Sequence, residues 1–196
     1  MKRLQDNVTL ITGGGKGIGF GLATAFAREG SNLVITGRTE SRLLSAKERL
    51  ESEYGIEVLP LVADGADEAS VKSVVKAALD RFGKINTLVN NAQTSKSGLP
   101  LVEHSKADFD LAIDSGLYAA FFYMRECFPA LKAVKGSVIN FASGAGLFGK
   151  LGQSSYAAAK EGIRGLSRVA AAEWGPDGVR VNVVCPLAMT ESLQQW

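Results

Sequence analysis

A tyrosine and a lysine stand four residues apart in Tyr156-Ala157-Ala158-Ala159-Lys160, at the start of a stretch with helical period. That spacing puts both side chains on one helix face, about a turn apart. A phenol with a pKa near ~10 is a poor base at neutral pH, but a neighbouring ammonium stabilises the phenolate and brings it into a useful range. Such a pair is common by chance on helices, so it needs company. A second chemical feature lies near the N-terminus, in Thr12-Gly13-Gly14-Gly15-Lys16-Gly17-Ile18-Gly19. Glycines there let the backbone turn tightly and approach a pyrophosphate, whose charge is favoured by the N-terminus of a following helix. A glycine-rich loop can also be a plain strand-to-helix turn. This one follows the first strand candidate and opens the first helical stretch, the context that supports nucleotide binding.

The elements that would position these groups alternate along the chain. Apolar, β-branched runs predict strands over Val8–Thr12, Asn32–Thr36, Glu57–Val62, Thr87–Val89, Gly136–Asn140 and Arg180–Val184. Several are nearly continuous apolar runs, as expected of parallel strands covered on both faces. Between them, stripes of helical period run through Val71, Val74, Val75, Ala78, Leu79 and Phe82; through Leu117, Phe121, Met124, Phe128 and Leu131; and through Ile163, Leu166, Val169 and Ala170. Alternating strand and helix predict right-handed βαβ units: an α/β fold, a doubly wound parallel sheet with helices on both faces. No repeat, low-complexity segment or linker interrupts residues 1–196, so a single domain is expected.

The spacing Thr-Gly-x-x-x-Gly-x-Gly, followed in order by Asp64, Asn90-Asn91-Ala92, Ser143, Tyr156-x-x-x-Lys160 and Pro186, resembles the short-chain dehydrogenase/reductase family along nearly the whole chain. The resemblance implies a Rossmann-type oxidoreductase that moves hydride between a nicotinamide cofactor and a carbonyl or alcohol. Tyr156 takes the place of the acid/base, and Lys160 tunes it and reaches the nicotinamide ribose. Ser143, thirteen residues before Tyr156, takes the place of the serine whose hydroxyl anchors the substrate oxygen. Cofactor contacts carry over to Gly13, Gly15, Lys16, Gly17, Ile18, Gly19, Asp64 with Gly65, Asn90, Ala92, Tyr156, Lys160, Pro186 and Thr190, with Asp64 at the adenine ring. The end of the second strand reads Thr36-Gly37-Arg38-Thr39 and has no acid to hold ribose hydroxyls and repel a 2′-phosphate. Arg38 offers a planar fork of donors, and Lys16 adds a second cation, so NADP(H) is expected over NAD(H).

Other classes fit poorly. Ser143 lacks a nucleophile elbow because Phe141 stands where the first glycine of Gly-x-Ser-x-Gly belongs, and the one histidine, His104, has no motif around it. No metal site is expected with one histidine and two isolated cysteines, and Cys127 and Cys185 are expected to be buried free thiols. Basic residues number 22 and acidic residues 20, with no basic block to mark nucleic acid or membrane as a partner. The polar start and the lack of a long apolar stretch predict neither signal peptide nor membrane span, hence a cytoplasmic protein.

The chain departs from the family pattern at four places. Asn-Asn-Ala-Gly reads Asn90-Asn91-Ala92-Gln93, so Gln93 either reaches into the pocket or leaves the loop open. The family's asparagine, which helps to hold a proton-relaying water, is Gly116 here, and Asp114 or Ser115 are the candidates to compensate. Cys185-Pro186-Leu187 replaces the usual Pro-Gly, and Thr190 comes one position early. Ending at Trp196, the chain is expected to lack the family's final strand and part of its substrate region. The Gly116 and Gln93 departures keep open an alternative, a non-catalytic NADP(H)-binding sensor or scaffold subunit, against which the intact Ser143, Tyr156 and Lys160 argue. By resemblance, a homodimer or homotetramer is expected through Leu117–Val134 and Tyr156–Trp174. Leu147, Phe148 and Leu151 suit an interface or a substrate wall.

Overall fold

Five consecutive residues, Val8-Thr9-Leu10-Ile11-Thr12, are all buried and form the central strand β1 (Val8–Thr12). Side chains alternate across a strand, so Leu10 and Ile11 must find apolar cover on opposite faces. The computed structural model of the protein describes residues 2–186 and shows that cover; Thr190 lies outside the described residues. Leu10 packs with Val34, Leu88 and Val138 beneath α3 (Glu68–Phe82), α5 (Ala119–Val134) and α7 (Ser154–Trp174). Ile11 packs with Leu33, Ile35 and Val89 beneath α1 (Gly17–Arg28) and α2 (Glu40–Tyr54).

The remaining strands are β2 (Asn32–Gly37), β3 (Val58–Val62), β4 (Thr87–Asn90), β5 (Ser137–Phe141) and β6 (Arg180–Val184). All pairs are parallel, in the order β3-β2-β1-β4-β5-β6. The expected doubly wound sheet is therefore present, with each strand within a residue of its predicted bounds. After β3 the chain crosses back to place β4 beside β1, with Thr9 opposite Thr87 and Ile11 opposite Val89. The order of strands reverses between β1 and β4. In folds of this kind the loops leaving the carboxyl ends diverge at such a reversal and open a crevice for ligands.

Two details differ from the sequence expectation. The helical stretch after α4 (Lys106–Ala112) passes through a π turn over Ile113–Tyr118 before α5 begins. The extra residue in such a turn advances the helical phase by about 100°. Leu117 consequently packs on α7 at Gly162, while α5 buries Ala120, Tyr123, Met124, Cys127 and Leu131; Phe121 and Phe128 flank that stripe. Cys127 is buried as expected, but Cys185 is exposed, because it follows β6, an edge strand among the described residues.

The glycine loop shows why its residues are needed. Gly13 has φ +69°, which favours glycine, and a Cβ there would sit 3.0 Å from the Asn91 amide nitrogen. Gly19 lies where α1 crosses the loop, and any Cβ would overlap the Gly13 carbonyl oxygen. Backbone cannot move away as a side-chain tip can. Gly19→Ala is expected to destabilise the fold by about 3 kcal/mol, as overpacking against fixed backbone does. Chemical denaturation checks this, and a wild-type midpoint would contradict the close approach.

Candidate active site

β5 ends at Phe141, and its backbone carbonyl points at the buried side of α7. There it accepts a hydrogen bond of 2.6 Å from Lys160 Nζ. Lys160 is only 4% exposed, and burial pushes its ammonium from the usual 10.5 down to about 8. Desolvation disfavours the charged form, and a single carbonyl dipole returns only part of the lost hydration. The Nζ lies 5.5 Å from the centroid of the Tyr156 ring, so the four-residue spacing brings the pair together on one face of α7. Tyr156 is partly exposed where the crevice opens.

Ser143 follows β5 by two residues and caps the short helix α6 (Gly144–Phe148), its Oγ accepting from the Ala145 N–H at 3.1 Å. That bond uses an acceptor lone pair and leaves the hydroxyl proton free to donate. Beyond α6, Phe148 and Leu151 stand 87% and 94% exposed, with Leu147 beside them, an apolar margin close in sequence to Ser143 and Tyr156. Across the loop after β4, Leu101 and Val102 are also exposed.

The other end of the crevice is built on β1, β2 and β3. Lys16 precedes α1 with no side-chain cap on the helix N-terminus, so the first-turn N–H groups are free for an anion. Together with the close backbone of Gly13 and Gly19 and the nearby Gly15, Gly17 and Ile18, this cradle fits a pyrophosphate. Arg38 is exposed just after β2, and its Nη2 donates to the Thr94 hydroxyl at 3.0 Å. Asp67 caps α3 by accepting from the Ala69 and Ser70 N–H groups, so helix capping does not occupy Asp64. Asp64 accepts from Ala66 N–H at 3.0 Å and is otherwise exposed beside Gly65.

The Asn90-Asn91-Ala92 segment divides its work. Asn90 is buried, and its amide donates to Asn140 Oδ1 at 2.8 Å; Asn140 in turn donates to Ser167 Oγ at 2.8 Å. Its side chain thus ties β4 to β5 and α7 beneath the crevice. Asn91 and Ala92 instead tie the loop to β1. Both their N–H groups donate to Thr12 Oγ1 at 3.0 Å, and Asn91 Nδ2 donates to the Thr12 carbonyl at 2.9 Å. Thr12, Asn91 and the Phe141 carbonyl were not singled out from the sequence. The first two lay inside recognised motifs and were readable as polar residues at strand ends; a backbone carbonyl leaves no mark in a sequence. Pro186 follows β6, partly buried.

The two candidates to compensate for Gly116 are placed differently. Ser115 Oγ accepts from Thr94 N–H at 3.0 Å and has the Thr94 and Leu111 carbonyls at 2.8 and 2.6 Å for its one proton, while Asp114 is exposed. Gln93 does reach inward, to Gly116. Among the described residues no cluster of side chains is suited to a metal ion, and no helix is long and apolar enough to cross a membrane.

This arrangement of strand ends, loop and helix is matched by a family model. Short chain dehydrogenases align with residues 7–195. The chain belongs to the short-chain dehydrogenase family. A 12alpha-hydroxysteroid dehydrogenase from Clostridium sp. (strain ATCC 29733 / VPI C48-50) is 63% identical over 198 residues, spanning 98% of this chain and 76% of that protein. The crystal structure of levodione reductase superposes with a TM-score of 0.94 at 36% identity, covering 98% of this chain and 76% of its own. An NAD+-bound xylitol dehydrogenase (TM-score 0.91, 28% identity, 94% and 71% coverage) is also similar. So is the L-sorbose reductase of Gluconobacter frateurii complexed with NADPH and L-sorbose (0.93, 29%, 98% and 74%). The chain is thus an oxidoreductase of a family with both NAD and NADP members.

The buried lysine has a consequence for stability. Between pH 8 and 10.5 the unfolded chain holds a proton on Lys160 that the folded chain releases, so this group makes stability rise with pH there. Its full penalty is present below pH 8. The stability of the wild type relative to Lys160→Met is therefore expected to increase from pH 8 to 10, by at most about 1.4 kcal/mol per pH unit. Denaturant titrations of both proteins across that range measure it, and a difference independent of pH would contradict the shift.

Proposed function

We propose that the protein is an NADP(H)-dependent oxidoreductase acting on a secondary alcohol or ketone of a hydrophobic, fused-ring compound, a hydroxysteroid in particular. The observation that carries the chemistry is the buried Lys160 ammonium, 5.5 Å from the Tyr156 ring centroid and bonded to the carbonyl of Phe141, two residues before Ser143. The substrate class rests on two things. The exposed apolar margin of Leu147, Phe148 and Leu151 suits a rigid apolar skeleton, and the relative at 63% identity is a hydroxysteroid dehydrogenase.

In the direction of reduction, Ser143 donates to the carbonyl oxygen and orients it, and Tyr156 gives its phenolic proton to that oxygen. A nicotinamide cofactor held by the glycine loop, Lys16 and Arg38 would supply the hydride for the carbonyl carbon, its reduced form being the two-electron donor. Lys160 favours the phenolate left behind by its positive charge, and its ammonium has two further donors for the ribose and for reprotonation. Oxidation of the alcohol runs the same steps backwards, with Tyr156 as the base.

The preference for NADP(H) rests on Arg38, Lys16 and the absence of a carboxylate over 36–39. Arg38 gives up only a surface hydrogen bond to Thr94 in turning to a phosphate, a small cost. NADPH is expected to bind at least ~10-fold more tightly than NADH, since a charge-assisted phosphate contact is worth roughly 1.5–3 kcal/mol. Fluorescence titration of both cofactors tests this, and equal affinities would overturn it. Arg38→Asp reverses the preference on the same account, because it exchanges a phosphate donor for a ribose acceptor.

Tyr156→Phe is expected to lower turnover by roughly 10²–10⁴ while NADP(H) affinity stays within a few-fold, because the phenyl ring keeps its packing and only the proton is lost. Wild-type turnover would refute the mechanism. A cofactor-binding sensor without turnover predicts no loss to measure, because the parent protein would be inactive.

Assembly as a homodimer or homotetramer through α5 and α7 completes the reading. Phe121, Phe128, Leu166, Val169 and Trp174 line a mostly apolar groove between these helices, with Arg125 and Glu173 also on its walls and Val169 55% exposed. Light scattering is expected to show at least a dimer at micromolar concentration and a shift to monomer for Val169→Glu. A monomeric wild type would count against it.

A further inference from the structure

One buried titratable group takes no part in the chemistry assigned above, the phenol of Tyr123 on α5. Tyr123 is 1% exposed, and its hydroxyl is sealed from solvent without a hydrogen-bond partner. Its ring shares the apolar core with Val34, Ala63 and Leu88, packing that a phenylalanine would serve equally well. A buried hydroxyl that donates to nothing is a cost, and a native structure that keeps one needs a reason.

Position supplies that reason. Tyr123 Cε2, which adjoins the carbon bearing the hydroxyl, lies 3.6 Å from where a Cβ on Gly65 would stand. Ala119 Cβ, one turn earlier on α5, lies 3.0 Å from the same point. The hydroxyl end of the ring therefore meets the Asp64–Gly65 turn, just past β3, from the core side. That turn is otherwise held by its own backbone: Asp64 Oδ1 accepts from the Ala66 N–H at 3.0 Å, and the Asp64 carbonyl accepts from the Asp67 N–H at 3.1 Å. The Thr36 hydroxyl at the end of β2 is a second polar neighbour of the phenol, without bonding geometry. Burial pushes the phenol up to about 12, and the charge of Asp64 adds to the rise. Tyr123 is thus a proton donor at every working pH and never a base.

We propose that Tyr123 is a positioning residue of the adenine end of the cofactor site: its hydroxyl supports the Asp64 carboxylate from the core side when an adenine ring covers that carboxylate from the solvent side. The proposal rests on the reading of the protein as an NADP(H) enzyme with Asp64 at the adenine. In the free protein Asp64 is exposed, and water satisfies it. Covering it with an aromatic base takes water from an anion, which is costly unless another donor replaces that water. An O–H with nothing else to bond is the donor at hand, either directly or through one buried water that it shares with Thr36. One hydrogen bond is thereby deferred. Its absence lowers the stability of the free chain, and its formation adds to affinity in the complex.

Calorimetric titration of the full chain with 5′-AMP, a probe of the adenosine end alone, tests this beside denaturation without ligand. Tyr123→Phe keeps the ring and its packing. It is expected to unfold at the wild-type denaturant concentration or higher, since removing an orphaned polar atom relieves a cost. The same variant is expected to bind 5′-AMP and NADPH ~10-fold more weakly, the size of one hydrogen bond to a charged group. Its affinity for reduced nicotinamide mononucleotide, which has no adenine, is expected to be unchanged. In an Asp64→Ala background, Tyr123→Phe is expected to change 5′-AMP affinity by less than about twofold, because the two groups act as a pair. Wild-type affinity for 5′-AMP in Tyr123→Phe would overturn the proposal. So would a lower denaturation midpoint, or an affinity loss undiminished in Asp64→Ala, either of which makes the tyrosine a structural one. The failures are distinguishable. If Asp64→Ala binds 5′-AMP as the wild type does, the adenine reading of Asp64 falls and takes the role of Tyr123 with it. Equal affinities of the wild type for NADPH and NADH remove only the cofactor preference.

Discussion

The site depends on one hydrogen bond, from the Lys160 ammonium to the carbonyl of Phe141. An ammonium buried to this degree would ordinarily be expelled or neutralised. Here a strand-end carbonyl meets it, one residue beyond Asn140, where the pairing of β5 with β4 ends. Burial lowers the lysine to about 8, which leaves it mostly charged near neutrality but easily deprotonated. The stability that this position forfeits is the cost of holding a cation where a phenol can feel it at low dielectric.

The rest of the architecture brings other groups to that cation. Parallel strands put their carboxyl ends on one edge, so Thr12, Asn90 and Phe141 end near one another although 129 residues separate the first from the last. Thr12 joins the glycine loop to the loop after β4 through three hydrogen bonds, and Asn90, Asn140 and Ser167 join β4, β5 and α7 from beneath. The glycine loop and the Tyr156–Lys160 pair are thereby fixed to the same sheet, the kind of support that a reaction sensitive to ångström displacements requires.

Much of this was legible in the sequence. The strands show themselves because buried parallel strands are continuous apolar runs, and the glycine loop because its backbone tolerates no Cβ at Gly19. Tyr156 and Lys160 were readable because helical spacing turns sequence distance into a shared face. What escaped was carried by backbone or by pairs distant in sequence. The π turn has no residue signature, and it shifted Leu117 out of the α5 stripe that simple periodicity assigned to it, onto α7 at Gly162. Nothing in the two separate departures at Gln93 and Gly116 reveals that they occupy one volume. Cys185 looked buried from its apolar neighbours, yet it follows an edge strand and is exposed.

We propose that this chain moves hydride between nicotinamide and a ring carbon of a hydrophobic alcohol or ketone. The most direct measurement supplies NADPH carrying deuterium on the transferable C4 position together with a 12-oxo steroid, and reads the product by mass spectrometry and NMR. One deuterium is expected on the carbinol carbon of the 12-hydroxysteroid formed. Cofactor that binds but is not consumed, or product without deuterium at that carbon, would contradict it.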